Sequence, residues 1–168
     1  MNNAKPIALS DLLSPATINL GLKSSSRDAV LEELVNQIPQ LSGQPDQRQT
    51  LLKALLEREQ LHTTGIGDGV ALPHARNALV GLLDEPVIVF GRHPRGIDFG
   101  AIDHLPARLF FLLVAPTVTQ HLAVLARVSR VIRDAQLRQR LLTAESPDQA
   151  LGAIREIEQK MALKTAPR

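Results

Sequence analysis

A chain of 168 residues, 44% of them hydrophobic, is long enough to hide roughly 70% of its extended surface in one core without covalent staples. Its 19 basic and 17 acidic side chains leave a formal charge of only +2, and with no Cys and no Tyr to titrate between histidine and lysine this small excess lifts the pI to about 9.4, so the pI is no sign of a nucleic-acid binder. The absence of Tyr and Trp leaves little to stack bases, and the absence of Cys excludes a disulfide framework and a thiolate metal site.

In chain order, the start Met1 to Pro6 has no basic segment followed by an apolar one, and the longest fully apolar run, Leu109 to Ala115, falls far below the roughly 20 residues of a membrane span. A cytoplasmic protein that is neither exported nor inserted in a membrane is therefore expected. Ile7 to Leu13 reads as one helical turn, and Thr17 to Leu20, after Pro15, as a short strand. Ser25 and Asp28 form a capping pattern for a helix whose Val30, Leu31, Leu34, Val35 and Ile38 share one face. Pro39 and the cluster Ser42-Gly43-Gln44-Pro45 end it, and Asp46 opens a second helix with Leu51, Leu52, Leu55 and Leu56 on its apolar stripe. Arg58 stands three residues after Leu55, where a cation suits the last turn of a helix by its dipole alone.

Residues Thr64 to Arg76 concentrate unusual choices. Gly65, Gly67 and Gly69 alternate through a turn before the apolar run Val70, Ala71, Leu72, and Pro73 stops that run because it has no N–H to continue a ladder. His74 is thus set at the end of a strand on a rigid proline. Pro86 to Phe90 reads as a strand and Gly91 to Asp103, with Gly96, Asp98, Gly100 and Asp103, as an irregular loop. Leu109 to Ala115 is apolar at every position, as expected of a central strand covered on both faces. Thr117 and Gln120 form a second capping pattern, so that His121 lies in the first turns of a helix with Leu122, Leu125, Val128 and Ile132 as its core stripe. A histidine there sits where free N–H groups and the dipole favour an anion. Helices over Ala135 to Ala144 and Gln149 to Leu163 follow, Pro147 suiting a first helical position, and Lys164 to Arg168 reads as a frayed tail. These elements predict an α/β (α+β) chain of one domain, 1–168 with its core over about 9–160, folded as a three-layer α/β/α sandwich around a central mixed β-sheet.

The string Thr-Gly-Ile-Gly-Asp-Gly-Val-Ala-Leu-Pro-His-Ala-Arg, Thr64 to Arg76, resembles the phosphorylation-site motif of the type-2 enzyme IIA proteins of the bacterial phosphoenolpyruvate:sugar phosphotransferase system, the mannitol/fructose group, and within it the nitrogen-regulatory IIA proteins. Those show Thr-Gly-Ile-Gly, a spacer, then Ile-Ala-Ile-Pro-His-Gly-Lys. The family's Arg-Glu-x-Leu segment is matched by Arg58-Glu59-Gln60-Leu61, its Ile-Asp-Phe-x-Ala-Ile-Asp by Ile97 to Asp103, and its His-Leu after an apolar strand by His121-Leu122, so the resemblance runs from about Leu9 to about Lys160.

The resemblance implies that His74 takes a phosphoryl group on Nε2 from a histidine phosphocarrier protein, with Nδ1 held by a backbone carbonyl. It implies that Arg58, His121 and Thr64 hold the phosphoryl oxygens, with no metal, nucleotide or other cofactor. Two departures stand out: Ala75 in place of glycine, which would be strained at a positive φ, and Arg76 in place of lysine, which keeps the charge. The freestanding chain and the Thr-Gly-Ile-Gly form favour the regulatory branch, acting on a transporter or sensor kinase according to phosphorylation state. The rivals are a sugar-specific IIA passing phosphate to a IIB partner, an interaction module that is never phosphorylated, and a metal hydrolase drawing on His62, His74, His93, His104 and His121, no two of which have helical i, i+4 spacing.

Overall fold

The computed structural model describes residues 7–77 and 79–165. Its centre is the strand β5 (Ala107–Val114), whose side chains are apolar apart from Arg108. A strand alternates its side chains between faces, so Leu109, Phe111 and Leu113 must be covered on one side and Phe110, Leu112 and Val114 on the other. Both sets are buried, and they belong to two separate cores.

The remaining elements follow from that double demand. Antiparallel to β5 runs β4 (Val87–Ile97), and β1 (Ile18–Asn19) pairs parallel with β4. On the other side β3 (Val70–Ala71) pairs parallel with β5, and β2 (Gly65–Gly67) closes the edge antiparallel to β3. The sheet is mixed, in the order β1-β4-β5-β3-β2. One face carries α2 (Arg27–Val35) and α3 (Pro45–Leu61), whose Leu31, Leu34, Leu51 and Leu55 meet Phe110 and Leu112. The opposite face carries α1 (Leu9–Leu12), α4 (Val118–Val131), α5 (Ala135–Thr143) and α6 (Pro147–Thr165), whose Val124, Val128, Leu141 and Ile154 meet Phe111 and Leu113. The expected three-layer sandwich is therefore the fold. Polar side chains tie the second of the two helical layers within itself and to the sheet: Glu158 of α6 accepts from the N–H groups of Leu9 (2.8 Å) and Ser10 (3.0 Å) at the start of α1, and Arg92 of β4 donates to Leu141 (3.0 Å) and Ala144 (2.7 Å) carbonyls at the end of α5.

The structure corrects several expectations. Gly91 to Ile97 belongs to β4 and is not loop. Gly91 is chosen for close approach, since a Cβ there would lie 2.7 Å from Leu22 Cδ1 and from Leu34 Cδ2. Further along, the register with β5 shifts between Arg92 and Ile97, and this bulge accommodates Pro94 and Gly96 (φ +92°). His93 fills the bulge: its Nδ1 accepts from Arg95 and Gly96 N–H groups while Nε2 donates to the Ser24 carbonyl at 2.9 Å. The cap of α2 is Ser26, which accepts from Ala29 N–H, one residue beyond the expected Ser25. On α4, Thr117 caps as expected, and of the expected stripe Val128 and Ile132 are buried and Leu125 is partly buried against the core, but Leu122 is exposed and His121, Val124 and Val131 are buried beside them. Adopting His121 as part of the stripe turns the next residue by about 100° out of it. Lys164 and Thr165 continue α6, and the rest of the expected tail, 166–168, lies outside the described residues, as does the start at 1–6.

The two glycines Gly91 and Gly152 should respond oppositely to alanine. Gly91→Ala is expected to cost about 1–3 kcal/mol by overpacking the Leu22/Leu34 contact. Gly152→Ala, in α6 with nothing within 4 Å of the new Cβ, should stabilise by up to about 1 kcal/mol, both measured by urea unfolding.

Candidate functional site

His74 follows β3 with only Leu72 and Pro73 between them, and continues the strand's alignment with β5. Leu113 N–H donates to Pro73 O at 3.0 Å, and His74 itself forms an isolated parallel bridge with Leu113. The imidazole is thereby delivered to the carboxyl end of the parallel pair β3/β5, the edge of a sheet at which α/β proteins commonly place their ligands. The chain leaving β5 enters α4 close by, and His121 stands in the first turn of that helix. The two rings meet with centroids 5.6 Å apart and planes at 54°.

The state of the His74 ring is set by one contact. Its Nδ1 lies 2.7 Å from the Leu72 carbonyl oxygen, which can only accept, so Nδ1 carries the proton and Nε2 keeps a free lone pair. Burial disfavours the charged ring and pulls His74 below the ordinary histidine value, against the raising effect of the Leu72 carbonyl, and the positive charge of Arg58 adds to the lowering. His121 is also held low, first by burial and then by His74. Two neutral imidazoles and a guanidinium therefore share the site.

Arg58 lies in the last turn of α3 and donates from Nη1 to the His62 carbonyl at 2.6 Å, so in this state one arm of its fork caps the helix. It lines a cleft of about 600 Å³ together with Leu61, Ala75 and Arg76. Ala75 is buried and does not have a positive φ, so the alanine is accommodated on ordinary backbone and carries no left-handed strain. Thr64 is placed differently from a phosphate ligand. It is buried, and its hydroxyl donates to a Glu59 carboxylate oxygen while its N–H donates to the other at 3.1 Å, which leaves the hydroxyl without a proton for a phosphoryl oxygen. Of the other histidines, His93 is committed to its bulge and His62 and His104 are exposed. Among the described residues no three His, Cys, Asp or Glu side chains converge as a metal set would.

The turn before His74 owes its shape to Asp103. Gly67, Asp68 and Gly69 all have positive φ (91°, 54° and 76°), and Asp103 Oδ2 accepts from the Asp68 N–H at 2.7 Å. That bond, with the Leu105 N–H on Oδ1, keeps the Asp103 carboxyl below its usual range. Sequence reasoning gave no role to Asp103 or to the buried Glu59. The second was signalled by its spacing, since Leu51, Leu55 and Glu59 succeed one another at four-residue intervals on the buried face.

Fold and site together define a class, that of single-domain α/β proteins presenting one tautomer-fixed histidine and a second histidine at strand ends. A sequence model described as phosphoenolpyruvate-dependent sugar phosphotransferase system, EIIA 2, matches residues 11–157, and the chain belongs to that family of phosphotransfer components. It is 37% identical over 135 residues to a nitrogen regulatory protein of Bradyrhizobium diazoefficiens, covering 79% of this chain and 85% of that one. It is 35% identical over 150 residues, 88% of its length, to the fructose-specific EIIABC component of Bacillus subtilis, of which it spans only 23%. The crystal structure of the nitrogen regulatory protein IIA-Ntr from Neisseria meningitidis superposes with a TM-score of 0.74 at 26% identity, covering 86% of this chain and 97% of that one. No helix among the described residues is long and apolar enough to cross a membrane.

Because both rings are held low, His74 and His121 should each be more than half neutral at a pH of about 6.5, where an unperturbed histidine is half protonated. The linkage has one sign: the unfolded chain takes up these protons more readily than the folded one, so their contribution to stability is level above about pH 6.5 and falls as the pH drops below it. A titration of the histidine ring resonances by NMR checks the first statement, and urea midpoints across the same pH range, compared with those of a His74→Gln/His121→Gln variant, check the second.

Proposed function

We propose that the protein is a phosphocarrier that accepts a phosphoryl group on Nε2 of His74 from a histidine phosphocarrier protein and regulates partner proteins according to its phosphorylation state. The observation that carries this reading is the Nδ1 to Leu72 bond, which leaves Nε2 as the only nucleophilic nitrogen of a neutral ring. In the transfer the Nε2 lone pair attacks phosphorus, the bond from phosphorus to the donor's ring nitrogen breaks, and the electron pair returns to the donor ring. Phosphoryl transfer needs positioning and charge stabilisation more than covalent help, and no metal or nucleotide enters the step. Arg58 turns its fork from the His62 carbonyl toward the phosphoryl oxygens, and His121 donates from the start of α4. Thr64 acts through Glu59 and the backbone and makes no direct contact with the phosphoryl group.

Two exposed apolar side chains beside His121 on α4, Val118 and Leu122, at 63% and 59% exposure, support docking of a protein donor. A cysteine-free composition suits action in the cytoplasm. The fructose-specific relative favours a second reading, a sugar-specific IIA that passes the group to a IIB partner. The two are separated by mixing the phosphorylated protein with a fructose-type IIB domain, to which only the second would lose its phosphate rapidly.

Incubation with phosphoenolpyruvate and the two general phosphotransferase proteins should raise the intact mass by one phosphate, acid-labile and base-stable, and His74→Ala should gain none. A label persisting in His74→Ala would move the acceptor elsewhere, and an unlabelled parent would leave an interaction module. His121→Ala and Arg58→Ala should each fold normally and accept phosphate roughly ten- to a hundredfold more slowly, the effect of losing a charge-assisted bond of about 1.5–3 kcal/mol. Parent rates in both would make the two residues structural.

A further inference from the structure

Glu59 is a carboxylate buried to 4% exposure in a site whose phosphoryl chemistry has no use for it. Burying a carboxylate is costly unless its oxygens are bonded, and both of these accept from a single residue, one from the Thr64 N–H and the other from the Thr64 hydroxyl. Thr64 is the residue just before β2, an edge strand with nothing but β3 beside it in the sheet. The β2/β3 ribbon is weak: it holds two residue pairs, Gly65 with Ala71 and Gly67 with Val70, with a register shift between them. Glycine at both paired positions of β2 leaves that strand with no side chains of its own there to pack, and besides Glu59 it is held by the Thr63 hydroxyl, which accepts from Gly65 N–H at 2.9 Å, and by Asp103 at the turn. Beyond those pairs, the ribbon's last bond is Leu72 N–H to Thr64 O at 3.0 Å, and the next acceptor along is the Leu72 carbonyl that holds His74 Nδ1 at 2.7 Å.

We propose that Glu59 is a positioning residue for His74: by pinning Thr64 at the start of β2 it fixes the backbone at Leu72, and so decides which ring nitrogen of His74 carries the proton and which is free to react. The chain of contacts is continuous. Glu59 holds the Thr64 amide, the Thr64 carbonyl holds the Leu72 amide, and the Leu72 carbonyl holds the His74 ring. Glu59 sits next to Arg58 on the last turn of α3, so one helical turn supplies both a charge near the phosphoryl site and the clamp that orients its nucleophile. The part of this role that concerns the ring of the unmodified protein stands independently of the phosphocarrier reading, and the part that concerns transfer rests on it.

The test uses the full chain labelled with 15N-histidine at a pH of about 8, where the rings are neutral, and reads the His74 tautomer from long-range proton–nitrogen spectra. The parent should show the Nδ1–H form. Glu59→Ala should shift the tautomer ratio about tenfold toward Nε2–H and slow phosphoryl acceptance by at least about tenfold, as expected for one lost charge-assisted bond. Glu59→Gln, whose amide oxygen still accepts from Thr64 N–H while its NH2 donates to the hydroxyl, should return most of both. Thr64→Val keeps the backbone bond and should fall between them; if Glu59→Ala does not fold, this variant decides. A tautomer ratio that stays at the parent value in Glu59→Ala, or in Thr64→Val where that variant decides, overturns the proposal and leaves Glu59 a clamp for the end of α3. A ratio that moves as expected while the parent itself takes no phosphate supports the positioning role and rejects the phosphocarrier reading.

Discussion

The hydrogen bond from His74 Nδ1 to the Leu72 carbonyl is the contact on which the chemistry of the site depends, and much of the fold can be understood as what makes it possible. An imidazole in water exchanges tautomers and takes a proton near neutrality, and in either event the nitrogen that should react is lost for part of the time. Here the carbonyl belongs to a residue two positions earlier, at the end of a strand that is held parallel to β5, and Pro73 between them fixes the short path. The Leu72 N–H bond to Thr64 O on one side of that carbonyl, and the Leu113 N–H bond to Pro73 O with the His74 bridge to Leu113 on the other, hold the backbone that carries it. The buried apolar strand β5 is thus the rail on which the His74 backbone is mounted.

The electrostatics of the site are consistent with the same purpose. Burial disfavours the charged form of both histidines, and the Arg58 guanidinium adds to the lowering at His74. In the proposed transfer a phosphoryl group would bring negative charge into that surrounding, and each neighbour would then gain a partner: Arg58 an acceptor for its fork, His121 an oxyanion to which it can donate. A site built of neutral rings avoids the cost of buried charge in the unmodified protein and, on the proposed function, would still stabilise the phosphorylated one. Asp103 works at a distance from this, holding the run of positive φ at Gly67, Asp68 and Gly69 so that β2 and β3 can return on each other in so few residues.

Much of this was legible from residue order because its causes are local. The uninterrupted apolar run at Leu109 to Ala115 demanded cover on two faces, and periodicity marked α2, α3 and α4 as helices to supply it, though which face each takes came only with the structure. What misled was punctuation read as turn. Gly91, Pro94 and Gly96 resemble loop residues, yet Gly91 serves side-chain packing from Leu22 and Leu34 and the other two serve a bulge, facts that depend on which chain segments return to that place. The stripe on α4 went wrong at its start, where His121, a polar side chain, takes the buried position expected of Leu122, and polar residues on a buried face are where patterning fails when a site is being built. In the site itself, His74 stood out by its glycine turn and proline, and its pairing with His121 and Arg58 came from family resemblance. The Glu59 to Thr64 clamp came from neither, since a side chain reaching five residues ahead past a helix end leaves only a faint mark, an acid on an apolar stripe.

The central claim is that Nε2 of His74 is the phosphoryl acceptor, and the most direct measurement is the phosphorus–nitrogen coupling in the phosphorylated protein labelled with 15N-histidine. Coupling of the phosphorus to His74 Nε2, with Nδ1 still protonated and bonded to the Leu72 carbonyl, is the predicted result. Coupling to Nδ1, or to a nitrogen of any other histidine, would contradict it.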